Sequence, residues 1–129
     1  PQRFYPALNR LAADWCVGLA LDEPLARRTR EDLLRLRRDD PDFWSVVGLA
    51  DLTLIEALQR GELAAQAGEI ERAWVALHDR IGAPWLWASV ADQIALLLGS
   101  RSVRGSADAA RLRARVDALA GRHTAAGPA

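Results

Sequence analysis

Residues 62–81 read ELAAQAGEIERAWVALHDRI, and this stretch decides the fold. Apolar side chains recur in it at three- and four-residue spacing, at Leu63, Ala67, Ile70, Trp74, Leu77 and Ile81. That spacing places them on one face of an α-helix, because the helix turns once every 3.6 residues. Gly61 and Gly82 bound the segment, and glycine commonly ends helices. The stretch therefore predicts an amphipathic helix that packs on its neighbours along one face.

Five further segments carry a helical pattern, and no segment shows the alternation of a strand. They cover residues 6–21, 22–40, 42–60 and 84–98, and a last segment that begins at Ser106. Short connections favour antiparallel neighbours. We expect an all-α fold of stacked antiparallel helix hairpins with about six helices. The expected domain covers residues 1–122, and residues 123–129 are expected to form a flexible tail.

Composition narrows the class of protein further. Acidic residues interrupt every candidate membrane span, and no secretion signal is visible. The single Cys16 excludes an internal disulfide and a cysteine-based zinc site, so we expect a buried thiol in a reduced, cytoplasmic compartment. The pattern predicts no metal, no cofactor and no membrane partner. All basic side chains other than His are Arg, which together with abundant Ala suggests a bacterial source. Met is absent, which suggests a processed chain or a piece of a longer protein.

Charge is unevenly distributed along a chain whose net charge is zero. Residues 41–100 carry three Arg against eight acidic residues, whereas residues 101–129 carry six Arg against two. An acidic middle favours basic partners. The second and sixth helices are rich in Arg, and a nucleic-acid-binding helical module is the leading alternative function. Acidic residues interleave with the Arg of the second helix, which favours a solvated, ion-paired face instead.

Three helices share a motif of large and small residues. Trp44, Val47, Gly48 and Asp51 hold positions 1, 4, 5 and 8 of one helix, and similar residues follow Trp87 and Leu8. Trp44, Val47 and Gly48 resemble the first helix of a tetratricopeptide repeat. The 43-residue spacing between Trp44 and Trp87 is longer than the period of that family.

A second resemblance covers residues 42–98. The stretches DFWSVVGLADLTLIEALQRGELA and WVALHDRIGAPWLWASVADQIALLL resemble bacterial relatives of the TRAFs-binding domain of MAP kinase kinase kinases. That domain is a tetratricopeptide-like helical region. The resemblance implies a regulatory or scaffolding segment, often part of a larger signalling protein. It implies no catalytic residues, and we expect no enzyme activity.

Two polar positions deserve a chemical interpretation. Asp51 falls inside the apolar arc of its helix, where a carboxylate needs a partner. We expect it to bond a group from the fourth or fifth helix, such as Arg80 or His78, and to hold two helices in register. The alternative is a catalytic acid, in a small enzyme centred on Asp51 and His78. Arg80 and His78 suit the C-terminal end of their helix, which favours capping over catalysis.

Helix-hairpin proteins bind partners on a surface shared by equivalent helices. Here these are the first, third and fifth helices. The residues expected to contact a protein or peptide partner, which is expected to be basic, are Trp85, Ser89, Asp92, Gln93, Glu56 and Gln59. Trp85 lies on the polar side of its helix, and an exposed Trp often anchors a partner. The sixth helix could instead cover this surface as a cap.

Overall fold

The computed structural model describes residues 4–122, and within that range the fold is all-helical. The six α-helices are α1 (Phe4–Cys16), α2 (Glu23–Asp39), α3 (Phe43–Arg60), α4 (Leu63–Arg80), α5 (Pro84–Leu98) and α6 (Ala107–Leu119). A short 3-10 turn, Arg101–Val103, precedes α6. These residues contain no strand. The predicted fold class is confirmed, and four of the six helices lie within three residues of their expected bounds at both ends.

Side-chain caps explain why the helices begin where they do. The Asp42 carboxylate accepts a hydrogen bond from the Ser45 amide, and the Ser45 hydroxyl accepts one from the Asp42 amide. This reciprocal pair satisfies two donors that the helix itself leaves unbonded. Asp22 and Ser106 cap α2 and α6 in the simpler way, each accepting from the amide three residues on. At the other end of α3, Gly61 takes a left-handed conformation with φ of 69°.

The first helix ends earlier than the sequence predicts. It stops at Cys16 instead of continuing to residue 21, because Gly18 adopts a φ of 80° that reverses the chain. The Leu19 amide then donates back to the Asp14 carbonyl at 2.8 Å, which closes the helix end. As a result Cys16 is exposed, and the expectation of a buried thiol is wrong.

Close contacts divide the chain into two compact units, Pro1–Gln66 and Ala67–Ala129, and the boundary falls inside α4. In the first unit α1, α2 and α3 pack on one another as consecutive helix hairpins. Its fully buried large side chains are Leu11, Leu33, Leu52, Leu54 and Ile55. The single domain expected over residues 1–122 remains a prediction, and the tail expected at residues 123–129 lies outside the described residues.

The second unit packs α5 against α6 around two buried indoles. Its fully buried large side chains are Trp74, Ile70, Trp87, Ile94, Leu97, Leu112 and Val116. The Glu71 carboxylate on α4 joins α4 to α6, because it accepts hydrogen bonds from Arg111 and Arg115 at 2.8 and 2.7 Å. Nowhere in residues 4–122 is a helix both long and apolar enough to cross a membrane.

Candidate functional site

Asp51 is the most unusual polar residue of the first unit. Its Oδ1 atom is sealed from solvent and has no hydrogen-bond partner among the described residues. The residue as a whole is only half-buried, so the rest of it reaches the surface. Burial raises the pKa of this carboxyl to about 7, because the charged form loses its hydration and gains no compensating bond. The expected burial holds for Oδ1, which has no hydrogen bond, and the expected bond to the fourth or fifth helix stays a prediction.

The Tyr5 side chain lies within electrostatic reach of this carboxyl and packs against Trp44. Trp44 precedes Asp51 by two helical turns on α3, and its ring centroid lies 6.0 Å from that of Tyr5 on α1. The Tyr5 pKa is raised, first by burial and then by the charges of Asp51 and Asp42. Both carboxylates are therefore within electrostatic reach of the Tyr5 hydroxyl. Sequence analysis placed Asp51 in the apolar arc but missed Tyr5, because a helix pattern does not show which residues of another helix lie opposite.

His78 and Arg80 lie in the last turn of α4, as the capping interpretation expected. The His78 ring packs at a tilt against the Trp87 ring, with centroids 5.4 Å apart. Arg80 is exposed, and in the described part of the chain no ion pair is recorded for it. Asp51 belongs to the first unit and these two residues to the second. No feature of His78 points to proton transfer.

Two residues of α3, Glu56 and Gln59, were expected to bind a partner, but both already form bonds within the protein. Glu56 is mostly buried and forms a close ion pair with Arg30 of α2, with Arg60 at 3.8 Å. Gln59 donates its amide hydrogen to the Leu19 carbonyl at 2.9 Å. These bonds tie α3 to its neighbours in the first unit. A role for Glu56 and Gln59 in binding stays a prediction. It requires that a partner replace the bonds that these side chains form within the protein.

The second unit exposes one face of α5. Trp85 is 70% exposed, Leu96 is 59% exposed, and Ser89 and Asp92 are exposed between them. These four residues, at positions 85, 89, 92 and 96, lie on one stripe of the helix because they recur at three- and four-residue spacing. We call them the α5 stripe. Gln93 lies beside it and is half-buried.

Asp92, the charged residue of the α5 stripe, pairs with Arg122, which follows α6. The Arg122 guanidinium donates to the Asp92 carboxylate at 2.8 Å, and both side chains are substantially exposed. The sequence pattern predicted that Trp85 and Asp92 contribute to a binding surface, but it did not indicate Leu96 or Arg122. Leu96 looked like a core residue because it stands in an unbroken apolar run, and only the packing of α5 on α6 shows that it faces outward.

Six of the nine Arg residues of α2 and α6 form ion pairs, whereas Arg27, Arg28 and Arg37 of α2 are exposed and pair with no acid among the described residues. On α2, Arg30, Arg35 and Arg38 pair with acidic residues. On α6, Arg111 and Arg115 share Glu71, while Arg113 bonds Asp117. A surface that binds phosphates must leave its cations available. These pairs weigh against the nucleic-acid alternative.

Comparison of the chain with known protein families, curated proteins and solved structures gives no significant match. The resemblances to tetratricopeptide repeats and to the TRAFs-binding domain therefore stay expectations.

Proposed function

We propose that this protein is a protein-binding helical module whose α5 stripe receives a basic, amphipathic helical segment of a partner. The wider setting that we assign to it is a regulatory scaffold of a larger bacterial signalling protein, in the cytoplasm. The presence of a single cysteine supports the reducing compartment.

The observation that carries the proposal is the exposure of Trp85. Its indole is 70% exposed in the first turn of a helix whose opposite face is buried. Leaving so large an apolar group in water gives up roughly 1.5–3 kcal/mol of burial free energy. Tryptophan is enriched among the residues that dominate binding at protein interfaces. Leu96, three helical turns further on, offers a second apolar contact on the same stripe.

Charge complementarity supports a basic partner. Asp92 lies between the two apolar ends of the α5 stripe, and Arg122 already shows that a guanidinium fits against its carboxylate at 2.8 Å. An exposed ion pair of this kind contributes only about 0–1 kcal/mol, so an incoming Arg can replace Arg122 at little cost. The stripe extends over roughly 16 Å, which is the length of about three turns of a partner helix. Its apolar–acidic–apolar order is complementary to an apolar–basic–apolar order of residues on that helix.

The test uses a fluorescein-labelled helical peptide of about twelve residues, with leucines at the two ends of one face and an arginine between them. Fluorescence anisotropy measures its dissociation constant for the full chain. Trp85→Ala should weaken binding about 10- to 100-fold, as expected for an aromatic anchor that contributes 1–3 kcal/mol. Asp92→Asn should weaken binding and reduce its dependence on salt.

The matched control is Val17→Ala, because Val17 is an equally exposed apolar residue, at 72%, in the first unit. Its affinity for the peptide should equal that of the wild type. A peptide that does not bind, or one that binds Trp85→Ala as tightly as the wild type, contradicts the proposal. Concentration-dependent sedimentation of the chain alone, abolished by Trp85→Ala, would show that the stripe instead pairs with a second copy.

A further inference from the structure

Gly68, in the interior of α4, lies directly beside two guanidinium groups. A Cβ added at this glycine would lie 3.3 Å from Arg72 Nη1 and 3.9 Å from Arg111 Nη2, so these two nitrogens are separated by no more than the sum of those distances. Beyond the glycine's own stretch of helix, they are the only atoms of the described residues within 4 Å of that position. Glycine inside a helix is less favourable than alanine. At this position the missing side chain leaves open space between two cations.

The positive charge beside Gly68 exceeds the negative charge that pairs with it. Arg111 and Arg115 both bond the Glu71 carboxylate, at 2.6 and 2.7 Å. Arg72 is exposed and forms no recorded ion pair in the described part of the chain. We call Arg72, Arg111 and Arg115 the arginine cluster. Glu71 engages at most two of the five N–H donors on each of its partners, so donors remain for another acceptor.

The other acids of α4 and α6 pair with no arginine of the cluster. Glu69 directly follows Gly68 and therefore points about 100° away around α4. Asp79 lies in the last turn of α4, and Asp108 lies in the first turn of α6, where the helix dipole favours an acid. Asp117 bonds Arg113. The cluster and its one bonded carboxylate thus carry an excess of two positive charges.

We propose that the arginine cluster binds the phosphate group of a phosphomonoester in the space over Gly68. Arg72 and Arg111 donate to separate oxygens of the group, and Arg115 adds to the positive potential. A phosphomonoester carries about two negative charges at neutral pH, which matches the excess charge of the cluster. A phosphodiester carries only one, so the backbone of a nucleic acid matches the site less well. All three guanidiniums are exposed, and the ligand reaches them directly from solvent. This site lies in the second unit and does not depend on the α5 stripe.

The test is an NMR titration of the full chain, in neutral buffer free of phosphate, with methyl phosphate and dimethyl phosphate. The side-chain N–H resonances of Arg72 and Arg111 should shift saturably with methyl phosphate at millimolar concentrations, and dimethyl phosphate should bind about tenfold more weakly because it carries less charge. Arg72→Gln should weaken methyl phosphate binding about tenfold. The matched control is Arg80→Gln, which removes an exposed Arg without a recorded ion pair two turns later on α4 and should leave the affinity unchanged.

A second variant separates a defined site from a general attraction to positive charge. Gly68→Leu keeps every charge and favours the helix, but its side chain fills the space between Arg72 and Arg111. It should abolish the saturable shift while circular dichroism shows unchanged helical content.

The source of the phosphate group is distinguished with a blocked Gly-phosphoserine-Gly peptide. Tighter binding of this peptide than of methyl phosphate would indicate a phosphorylated protein as the ligand, and equal binding would indicate a small phosphomonoester; both outcomes support the site. A shift that does not saturate, equal affinity for methyl and dimethyl phosphate, or undiminished binding by Arg72→Gln or Gly68→Leu overturns the proposal.

Discussion

The indole Nε1–H of Trp87 donates a hydrogen bond of 2.8 Å to the carbonyl oxygen of Ile81, across the turn that joins α4 to α5. The carbonyls at the C-terminal end of a helix have no partner within the helix. This bond supplies one for the Ile81 carbonyl, which directly follows α4. Trp87 also packs its ring against His78 of the last turn of α4. A single buried side chain therefore fixes both the end of α4 and the start of α5.

The first prediction compares the two buried indoles of the second unit. Trp87 is fully buried with its Nε1–H bonded, whereas Trp74 is 1% exposed and its Nε1 has no hydrogen-bond partner. Replacing either with Phe removes similar volume, but only Trp87→Phe leaves the Ile81 carbonyl unpaired. We expect Trp87→Phe to destabilise the protein by about 1–3 kcal/mol more than Trp74→Phe. Urea unfolding measures the difference, and equal losses would contradict it.

The second prediction concerns the cap of α3. Asp42→Ala removes the carboxylate that accepts from the Ser45 amide at 2.7 Å. The free energy of unfolding should fall by about 0.5–2 kcal/mol, the usual cost of losing such a cap. The control is Asp40→Ala, an exposed acid two residues earlier with no recorded side-chain hydrogen bond. Thermal unfolding followed by circular dichroism checks both variants, and a control as unstable as Asp42→Ala would refute the capping explanation.

Helix positions were predictable because their signals are local. Asp22, Asp42 and Ser106 start helices through bonds to amides three residues away, and Gly61 ends one through its own backbone. The end of α1 was missed because the apolar pattern continues through Leu19. The left-handed Gly18 overrides that pattern, so the helix stops before Leu19 can join the core.

Features of the candidate sites were less predictable because they depend on packing between helices. The position of Asp51 in an apolar arc indicated burial, but no local pattern shows whether a partner faces it. Glu71 received no role from the sequence, since Arg111 and Arg115 follow it by 40 and 44 residues. Long-range ion pairs of this kind have no spacing rule comparable to the helical repeat.

The third prediction concerns Glu71 and acid. The hydrogen bond from Arg115, aided by Arg111, holds the pKa of Glu71 below its ordinary value. The stabilisation is therefore fully present above the ordinary pKa of a glutamate, and it is lost as the pH falls through the lowered value. At pH 7, Glu71→Gln should cost about 1–2 kcal/mol, because both guanidinium partners are half-exposed and screened by water.

The difference between Glu71→Gln and the wild type should shrink as the pH falls through the lowered pKa of the native carboxyl. Urea unfolding from pH 7 to pH 2.5 measures it. Glu69→Gln serves as the control, because Glu69 is an exposed acid on the same helix. A Glu71→Gln penalty that does not depend on pH would show that shape, and not charge, holds α6 on α4.

The last prediction reverses the usual expectation for a buried acid. Replacing a buried, bonded Asp strands its partner and destabilises the protein, which would follow from the bonded role that the sequence predicts for Asp51. The structure gives Asp51 Oδ1 no partner to strand, and burial raises the pKa of the carboxyl to about 7. In the unfolded chain an aspartate titrates near 3.9. Between these values the folded protein holds a proton that the unfolded chain has released, so stability falls as the pH rises from about 4 to about 7 and then levels off.

Asp51→Asn keeps the shape of the side chain and removes this loss. We therefore expect it to be roughly 1–4 kcal/mol more stable than the wild type at pH 8 and close to it at pH 4. Urea unfolding at the two pH values measures the change, with Asp40→Asn as the exposed control. A variant that is less stable than the wild type at pH 8 would contradict the prediction, because it would mean that the carboxylate has a stabilising partner in solution.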